Sequence, residues 1–177
     1  MDRTELRTLQ APLRERYADD PAAATTPLHA SGDWRDHGIT TTVDGWAGPV
    51  RAGLHPATGG TGADACSGDL LVEALLACAG VTMRSVATAM GLDVRSARLT
   101  ARSSFDARGT LGIDRTVPVG VGPIEVVAEL DCDADDAAFA RLATSTERYC
   151  VVGQSLATSP TVSVRRAVRD VSRPSAG

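Results

Sequence analysis

The sequence contains no lysine, and all eighteen of its basic residues are arginine. This absence excludes P-loop phosphate binding and Schiff-base or pyridoxal phosphate chemistry, because each of them depends on a lysine amine. Aromatic residues are also scarce at 3%, and the formal net charge is −4. The chain therefore has neither the rings nor the basic surface that nucleic acid binding uses, and we predict no nucleic acid partner.

Long uncharged apolar runs are missing as well. No stretch of about eighteen such residues is present, and the first five residues carry charges where a signal peptide would be apolar. We therefore predict no membrane association and a cytoplasmic location. Because that compartment is reducing, the cysteines are not expected to form a disulfide framework. Three roles therefore remain open for the four cysteines, as core residues, as metal ligands or as reactive thiols: Cys66, Cys78, Cys132 and Cys150.

The length and composition favour one globular domain, with 177 residues of which 43% are hydrophobic and 23% charged. Residues 2–17 have leucines at helical spacing and precede an Ala, Thr and Pro linker. We predict a helical arm and linker over residues 1–30. The main domain is predicted over residues 31–177.

The main domain alternates between strand and helix patterns. A very apolar helix is predicted over residues 68–90, with Ser67 as its N-cap and Gly91 as its end. Because one sheet can cover only one side of such a helix, its remaining apolar surface predicts a homodimer. The other predicted elements are a second helix over 135–149 and strands over 39–43, 49–54, 94–106, 123–132 and 161–168. This order predicts an α+β fold with antiparallel strands around a buried central helix.

The cysteines differ in their surroundings. Cys78 lies in the middle of the apolar helix, where a structural role is favoured from the residue alone. Cys150 follows an amphipathic helix beside charged side chains, so a reactive thiol and a structural one are equally open. Cys132 is interpreted as a core residue. Cys66, just before the apolar helix, is interpreted mainly as structural.

Other patterns carry weaker chemistry. No cysteine pair has the CxxC spacing of a zinc site, so no metal or cofactor is predicted. The segment 131–136 is rich in aspartate, but the other residues that a calcium-binding loop requires are missing. Its aspartates are therefore interpreted as helix caps. Residues 153–157 resemble a nucleophile elbow around Ser155, which leaves a hydrolase as a minor alternative. His55 could line a pocket, and surface roles are favoured for His29, His37 and His55.

Two segments resemble one known family. Residues 67–84 read SGDLLVEALLACAGVTMR, which is similar to the OsmC/Ohr motif Ser/Asn-Pro-x-(Glu/Asp)-Leu-Leu that ends in Ala-x-Cys and often continues to Thr-Leu-Arg. Residues 147–152 read ERYCVV, which is similar to the family's second element, a helix end followed by Cys-Pro-Val. Gly68 and Val151 stand where the family has proline, which indicates a divergent OsmC-like branch.

The resemblance implies an intertwined homodimer that reduces organic hydroperoxides with an external thiol or dithiol and no cofactor. Cys78 matches the peroxidatic position and Cys150 the resolving one. The family activates its thiol with an arginine that is held by a carboxylate. The candidate arginines in this chain are Arg51, which we prefer, and Arg35. Asp69 matches the acidic position of the motif and is the candidate carboxylate. Arg84 matches the arginine of Thr-Leu-Arg, six residues beyond Cys78. The alternative is a non-catalytic dimer that binds a small apolar or thiol ligand around Cys78.

Overall fold

The computed structural model describes residues 1–167, so the predicted end of the last strand at Val168 lies outside the described residues. The chain divides into two compact units. The first unit comprises Met1–Thr8, Leu75–Arg102 and the chain from Pro123 onward. The second unit comprises Leu9–Ala74 and Ser103–Gly122.

The arm predicted at the start of the chain is a helix, α1 (Arg3–Asp19). Asp2 begins it, because its carboxylate accepts hydrogen bonds from the amides of Thr4 at 2.7 Å and Glu5 at 2.9 Å. No residue of α1 is buried, and Leu9 and Leu13 are largely exposed. A short 3-10 turn (Pro21–Ala24) follows.

The second unit contains a four-stranded sheet in the order β1-β2-β3-β4. Its strands are β1 (Ser31–Asp33), β2 (Thr40–Gly45), β3 (Gly48–Gly53) and the two-residue β4 (Ala65–Cys66). β2 and β3 pair antiparallel, as predicted for the strands over 39–43 and 49–54. Two strands were not predicted: β1 pairs antiparallel with β2, and β4 pairs parallel with β3. The unit also holds a 3-10 turn (Pro56–Thr58) and the short helix α3 (Ala107–Thr110).

The long apolar helix α2 (Ser67–Met90) starts directly after β4, so Ser67 is its first residue. Gly91 ends it with a φ of +74°, the left-handed conformation expected of a glycine at this position. Only one face of α2 is buried, by residues four apart: Leu75, Ala79, Met83 and Ala87. The central helix is therefore buried on one side within this chain.

The first unit contains a three-stranded sheet in the order β5-β6-β7, formed by β5 (Val94–Arg102), β6 (Glu125–Cys132) and β7 (Thr161–Arg166). The alternation in β6 places every second side chain in the core, as predicted: Val126, Ala128, Leu130 and Cys132. β5 pairs antiparallel with β6 and ends four residues before the predicted position 106. β7 runs parallel to β6, so the prediction of antiparallel pairing is wrong for this strand.

Helix α4 (Asp136–Tyr149) packs on this sheet with Phe139 and Leu142 in the core cluster. The Asp135 carboxylate accepts a hydrogen bond from the Ala138 amide at 2.7 Å, which confirms an aspartate cap at this end. A four-residue helix that was not predicted, α5 (Val151–Gln154), follows α4 after Cys150. Sequence periodicity cannot detect so short a helix.

Candidate functional site: a pair of thiols

Cys78 lies on α2 beside the buried face of that helix. Its neighbours Leu75 and Ala79 are buried at the core, whereas Cys78 is partly exposed. Thr82, four residues further on, lies one turn along the same side of the helix. The helix therefore places a thiol and a hydroxyl next to each other at the boundary between core and solvent.

Cys150 lies at the junction of α4 and α5 and is 2% exposed. Its amide donates to the Thr146 carbonyl at 3.0 Å, which closes the last turn of α4. Its sulfur accepts a hydrogen bond from the Gly153 amide at 3.4 Å, which begins α5. Because both bonds use the same residue, Cys150 is fixed between two helix ends and is shielded from solvent.

The two thiols lie within the first unit, close enough for each to shift the pKa of the other. Burial raises the pKa of the Cys78 thiol, but hydrogen-bond donors outweigh burial, and the pKa lies below its ordinary value. The donors are the Val152 amide, the Cys150 thiol, the Thr82 hydroxyl and the Val151 amide. Cys78 is therefore the thiol of the pair that ionises first.

Cys150 has the opposite shift. Burial raises its pKa, and the neighbouring Cys78 raises it further both as the acceptor of its hydrogen bond and as a negative charge, while the Gly153 amide offsets only part of this. The pair thus combines a partly exposed thiol at Cys78, which loses its proton more readily, with a buried thiol at Cys150, which holds its proton more firmly. This arrangement suits a nucleophile and a proton-bearing partner.

The family resemblance implies an arginine as the activator of Cys78, whereas the donors described above have no counterpart among the predicted site residues. The Val151 and Val152 amides belong to α5, whose position beside Cys78 depends on the tertiary structure. Thr82 could have been found from its spacing, because residues four apart share a helix face.

Arg51 lies on β3 in the second unit, held by two carboxylates. Its Nε is 3.1 Å from Asp64 Oδ1 and 3.8 Å from Asp36 Oδ2. The Thr42 hydroxyl also donates to Asp36 at 2.8 Å. The carboxylate next to Arg51 is therefore that of Asp64, whereas Asp69 lies in the exposed first turn of α2 and does not pair with Arg51. Catalytic roles for Arg51 and Asp69 stay predictions.

Arg35, the other candidate arginine, is also held by two aspartates of the second unit. Its Nε is 2.6 Å from Asp33 Oδ1, and its other end pairs with Asp44. These contacts leave Arg35 and Arg51 in similar ion pairs, with side chains 45% and 49% exposed. Their geometry alone does not favour one of them.

The remaining sequence candidates have structural surroundings. Cys132 belongs to the core cluster, as predicted. Asp131 and Asp133 both pair with Arg95 across the edge of the sheet. Ser155 follows α5, and its hydroxyl donates to the Val151 carbonyl at 2.8 Å, so it does not occupy the strand-to-helix turn that a nucleophile elbow requires.

The described residues contain no metal cluster and one long apolar helix. Within residues 1–167 no three His, Cys, Asp or Glu side chains come together as possible metal ligands. By length and composition alone, α2 is apolar enough to cross a membrane. This is weak evidence, because the core helix of a soluble protein meets the same criterion.

The structure is an α+β fold with two sheets, in which Cys78 lies on the long helix α2 and Cys150 lies at the junction of α4 and α5. These features define a class of thiol-bearing proteins. The OsmC-like protein family model matches residues 60–165, a span that contains α2 and both cysteines. The chain therefore belongs to the OsmC-like family. No curated protein sequence matches it.

Solved structures share this fold at low sequence identity. An OsmC-like protein from Mycoplasma pneumoniae is 14% identical with a TM-score of 0.65, over 81% of this chain and 99% of that one. An organic hydroperoxide resistance protein from Elizabethkingia anophelis is 14% identical with a TM-score of 0.63, over 82% and 99% of the two chains. A Legionella pneumophila organic hydroperoxide resistance protein OsmC is 16% identical with a TM-score of 0.58, over 82% and 99%.

Proposed function

We propose that this protein is a cysteine-based peroxidase that reduces organic hydroperoxides in oxidative-stress defence, with Cys78 as the peroxidatic thiol and Cys150 as the resolving one. The observation that carries the proposal is the neighbouring pair of thiols, one partly exposed and one buried, whose pKa values move in opposite directions. Family membership and the similarity to structures of organic hydroperoxide resistance proteins support a peroxide-related role.

The exposure of the two cysteines supports this order of reaction. Cys78 is partly exposed and Cys150 is buried, so a peroxide arriving from solvent meets Cys78 first. Its thiolate attacks one peroxide oxygen, the O–O bond breaks, and the alkoxide leaves and takes up a proton as alcohol. Cys78 is then a sulfenic acid.

Cys150 completes the reaction from its position beside Cys78. Its sulfur attacks the sulfenic sulfur of Cys78, a disulfide forms, and the hydroxyl group leaves as water with the thiol proton. An external dithiol then restores both thiols by exchange and is itself oxidised to a disulfide. No resident cofactor enters these steps.

Exposed apolar side chains near the thiols support an apolar substrate and a second subunit. Val151 and Tyr149, which flank Cys150, are 67% and 60% exposed, and an alkyl or aryl group could pack on them. Val81 on α2 is 74% exposed although the helix is strongly apolar. We include in the proposal a homodimer that covers this apolar face. The proposal also keeps two expectations from the sequence, which are a cytoplasmic location and Arg51 as the cation that activates Cys78.

The proposal is tested by hydroperoxide consumption with a dithiol reductant, in the wild type and in Cys78→Ser and Cys150→Ser. We expect turnover to be lost in Cys78→Ser. After one equivalent of cumene hydroperoxide, intact mass should fall by two hydrogens in the wild type and rise by one oxygen in Cys150→Ser. Cys132→Ser, which changes a core thiol outside the pair, is the matched control and should keep the wild-type mass change.

The substrate class is tested by comparing kcat/KM for cumene hydroperoxide and hydrogen peroxide. We expect the organic peroxide to be preferred, because hydrogen peroxide gains nothing from apolar contacts. Equal values would contradict the preference for organic peroxides. If neither peroxide is consumed and the mass does not change, the peroxidase proposal fails, and a dimer that binds a small apolar or thiol ligand becomes the better hypothesis.

A further inference from the structure

The second unit contains a cavity of about 420 Å³ that neither Cys78 nor Cys150 lines. Its walls come from the end of β3, the turn that follows it, the start of α2 and the segment between β5 and β6. This volume falls in the range of small-molecule sites, roughly 300–1,000 Å³. The cavity is large enough to bind a compound of modest size.

The walls of this cavity are mainly apolar, with a few polar groups. The apolar side chains are Leu54, Phe105, Leu111, Val119 and Val121. His55 and Phe105 contact each other edge to face, with ring centroids 5.2 Å apart. Apolar walls with few polar groups are typical of sites for small apolar ligands.

His55 supplies a defined hydrogen-bond donor at the cavity. Its Nδ1 accepts a hydrogen bond from the Ala57 amide at 3.0 Å, so the neutral ring carries its proton on Nε2. Within residues 1–167 this Nε2 has no hydrogen-bond partner. A ligand oxygen could therefore accept the Nε2 proton.

The charges around the cavity exclude strongly ionic ligands. Among the described residues no arginine lines it, so a phosphate or carboxylate would lack a cationic partner from this part of the chain. The one carboxylate that residues 1–167 place in the wall, Asp106, is already engaged by Arg108, with Nη2 to Oδ2 at 2.6 Å and Nε to Oδ1 at 3.1 Å. A cation would therefore have to displace an existing ion pair.

We propose that this cavity binds neutral apolar molecules that carry one hydrogen-bond-accepting oxygen, such as medium-chain ketones, with the oxygen on His55 and the chain against Phe105 and the aliphatic wall. The proposal does not depend on peroxidase activity. Cys66 also lines the cavity and is partly exposed, so its alkylation reports whether the cavity is occupied.

The test follows alkylation of Cys66 by iodoacetamide in the full chain, resolved by peptide mass, with 2-nonanone as the probe. At ten times its Kd the ketone should slow alkylation about elevenfold, from simple competition. Nonanoate, of equal chain length but charged, should bind at least tenfold more weakly. No protection up to the solubility limit of the ketone, or equal protection by nonanoate, would overturn the proposal.

His55→Phe should weaken ketone binding about fivefold, the effect of one neutral hydrogen bond. His37→Phe, at an exposed histidine outside the cavity, is the matched control and should leave the Kd unchanged. Because His55→Phe also removes the acceptor for the Ala57 amide, Val121→Phe provides a second variant that fills the cavity and should abolish protection. If either cavity variant folds and binds as the wild type does, the assigned site is wrong.

Discussion

The two units differ in how much apolar surface each buries. Among the described residues the fully buried apolar side chains lie in the first unit, except Ala52 of β3. The second unit instead exposes large side chains, among them Trp34 at 87% and Trp46 at 103%. The unit with the denser core holds the thiol pair, and the unit with the sparse core holds the arginine candidates.

The two units therefore position their candidate reactive groups in different ways. The thiols are held by packed helices and backbone amides, which fix atoms closely because a dense interior allows little displacement. Arg51 and Arg35 are held by aspartates at the surface, where ion pairs are weak and screened. We expect core substitutions in the first unit to lower stability most, whereas substitutions of the surface arginines in the second unit should change reactivity with little loss of stability.

The largest effect should come from truncating the core. Leu130→Ala removes a side chain that is 2% exposed in the core cluster and should lower the free energy of unfolding by about 2–5 kcal/mol. Leu54→Ala, at a position 39% exposed in the second unit, is the matched control and should cost much less. Chemical denaturation measures both, and equal losses would contradict the contrast between the units.

The next effect concerns the arginines. Arg51→Gln should lower kcat/KM for an organic hydroperoxide by about a hundredfold, the typical cost of losing one stabilising donor at a reacting centre. Arg35→Gln is closely matched in exposure and in its two aspartate partners and should have little effect. A larger loss in Arg35→Gln would identify Arg35 as the activating residue.

The third prediction separates the two thiols by pH. The rate of alkylation should reach half its maximum below the ordinary thiol pKa of about 8.5 for Cys78 and above it for Cys150, because donors stabilise the first thiolate and burial disfavours the second. Between these midpoints Cys78 is a thiolate while Cys150 stays protonated. Peptide mapping after timed alkylation measures both rates. A Cys78 midpoint at or above 8.5 would rule out this division.

The smallest effect should follow from removing one donor. Thr82→Val deletes a hydroxyl that lowers the pKa of Cys78, so the alkylation midpoint should rise by up to about one pH unit. Thr88→Val is the control on the same helix, because the Thr88 hydroxyl donates to the Arg84 carbonyl at 2.9 Å instead. Identical midpoints in the two variants would show that the Thr82 hydroxyl does not stabilise the thiolate.

Much of the local structure followed from the sequence because it depends on nearby residues. The alternation of β6 selected its buried face, and the apolar run with Gly91 beyond it located α2. The structure shortened β5, added α5 and paired β7 parallel to β6. Strand direction and very short helices depend on contacts between distant segments, which periodicity does not encode.

The sequence by itself determined the family motif, the two cysteines that carry it and the absence of lysine chemistry, because these depend on residue identity and local spacing. Only the tertiary structure decided that Cys78 meets Cys150, that the Val151 and Val152 amides lower the pKa of Cys78, and that Asp64 faces Arg51. Those outcomes depend on where separate segments come together. A thiol acquires its pKa from all the groups that surround it, including backbone amides that no side-chain pattern reveals.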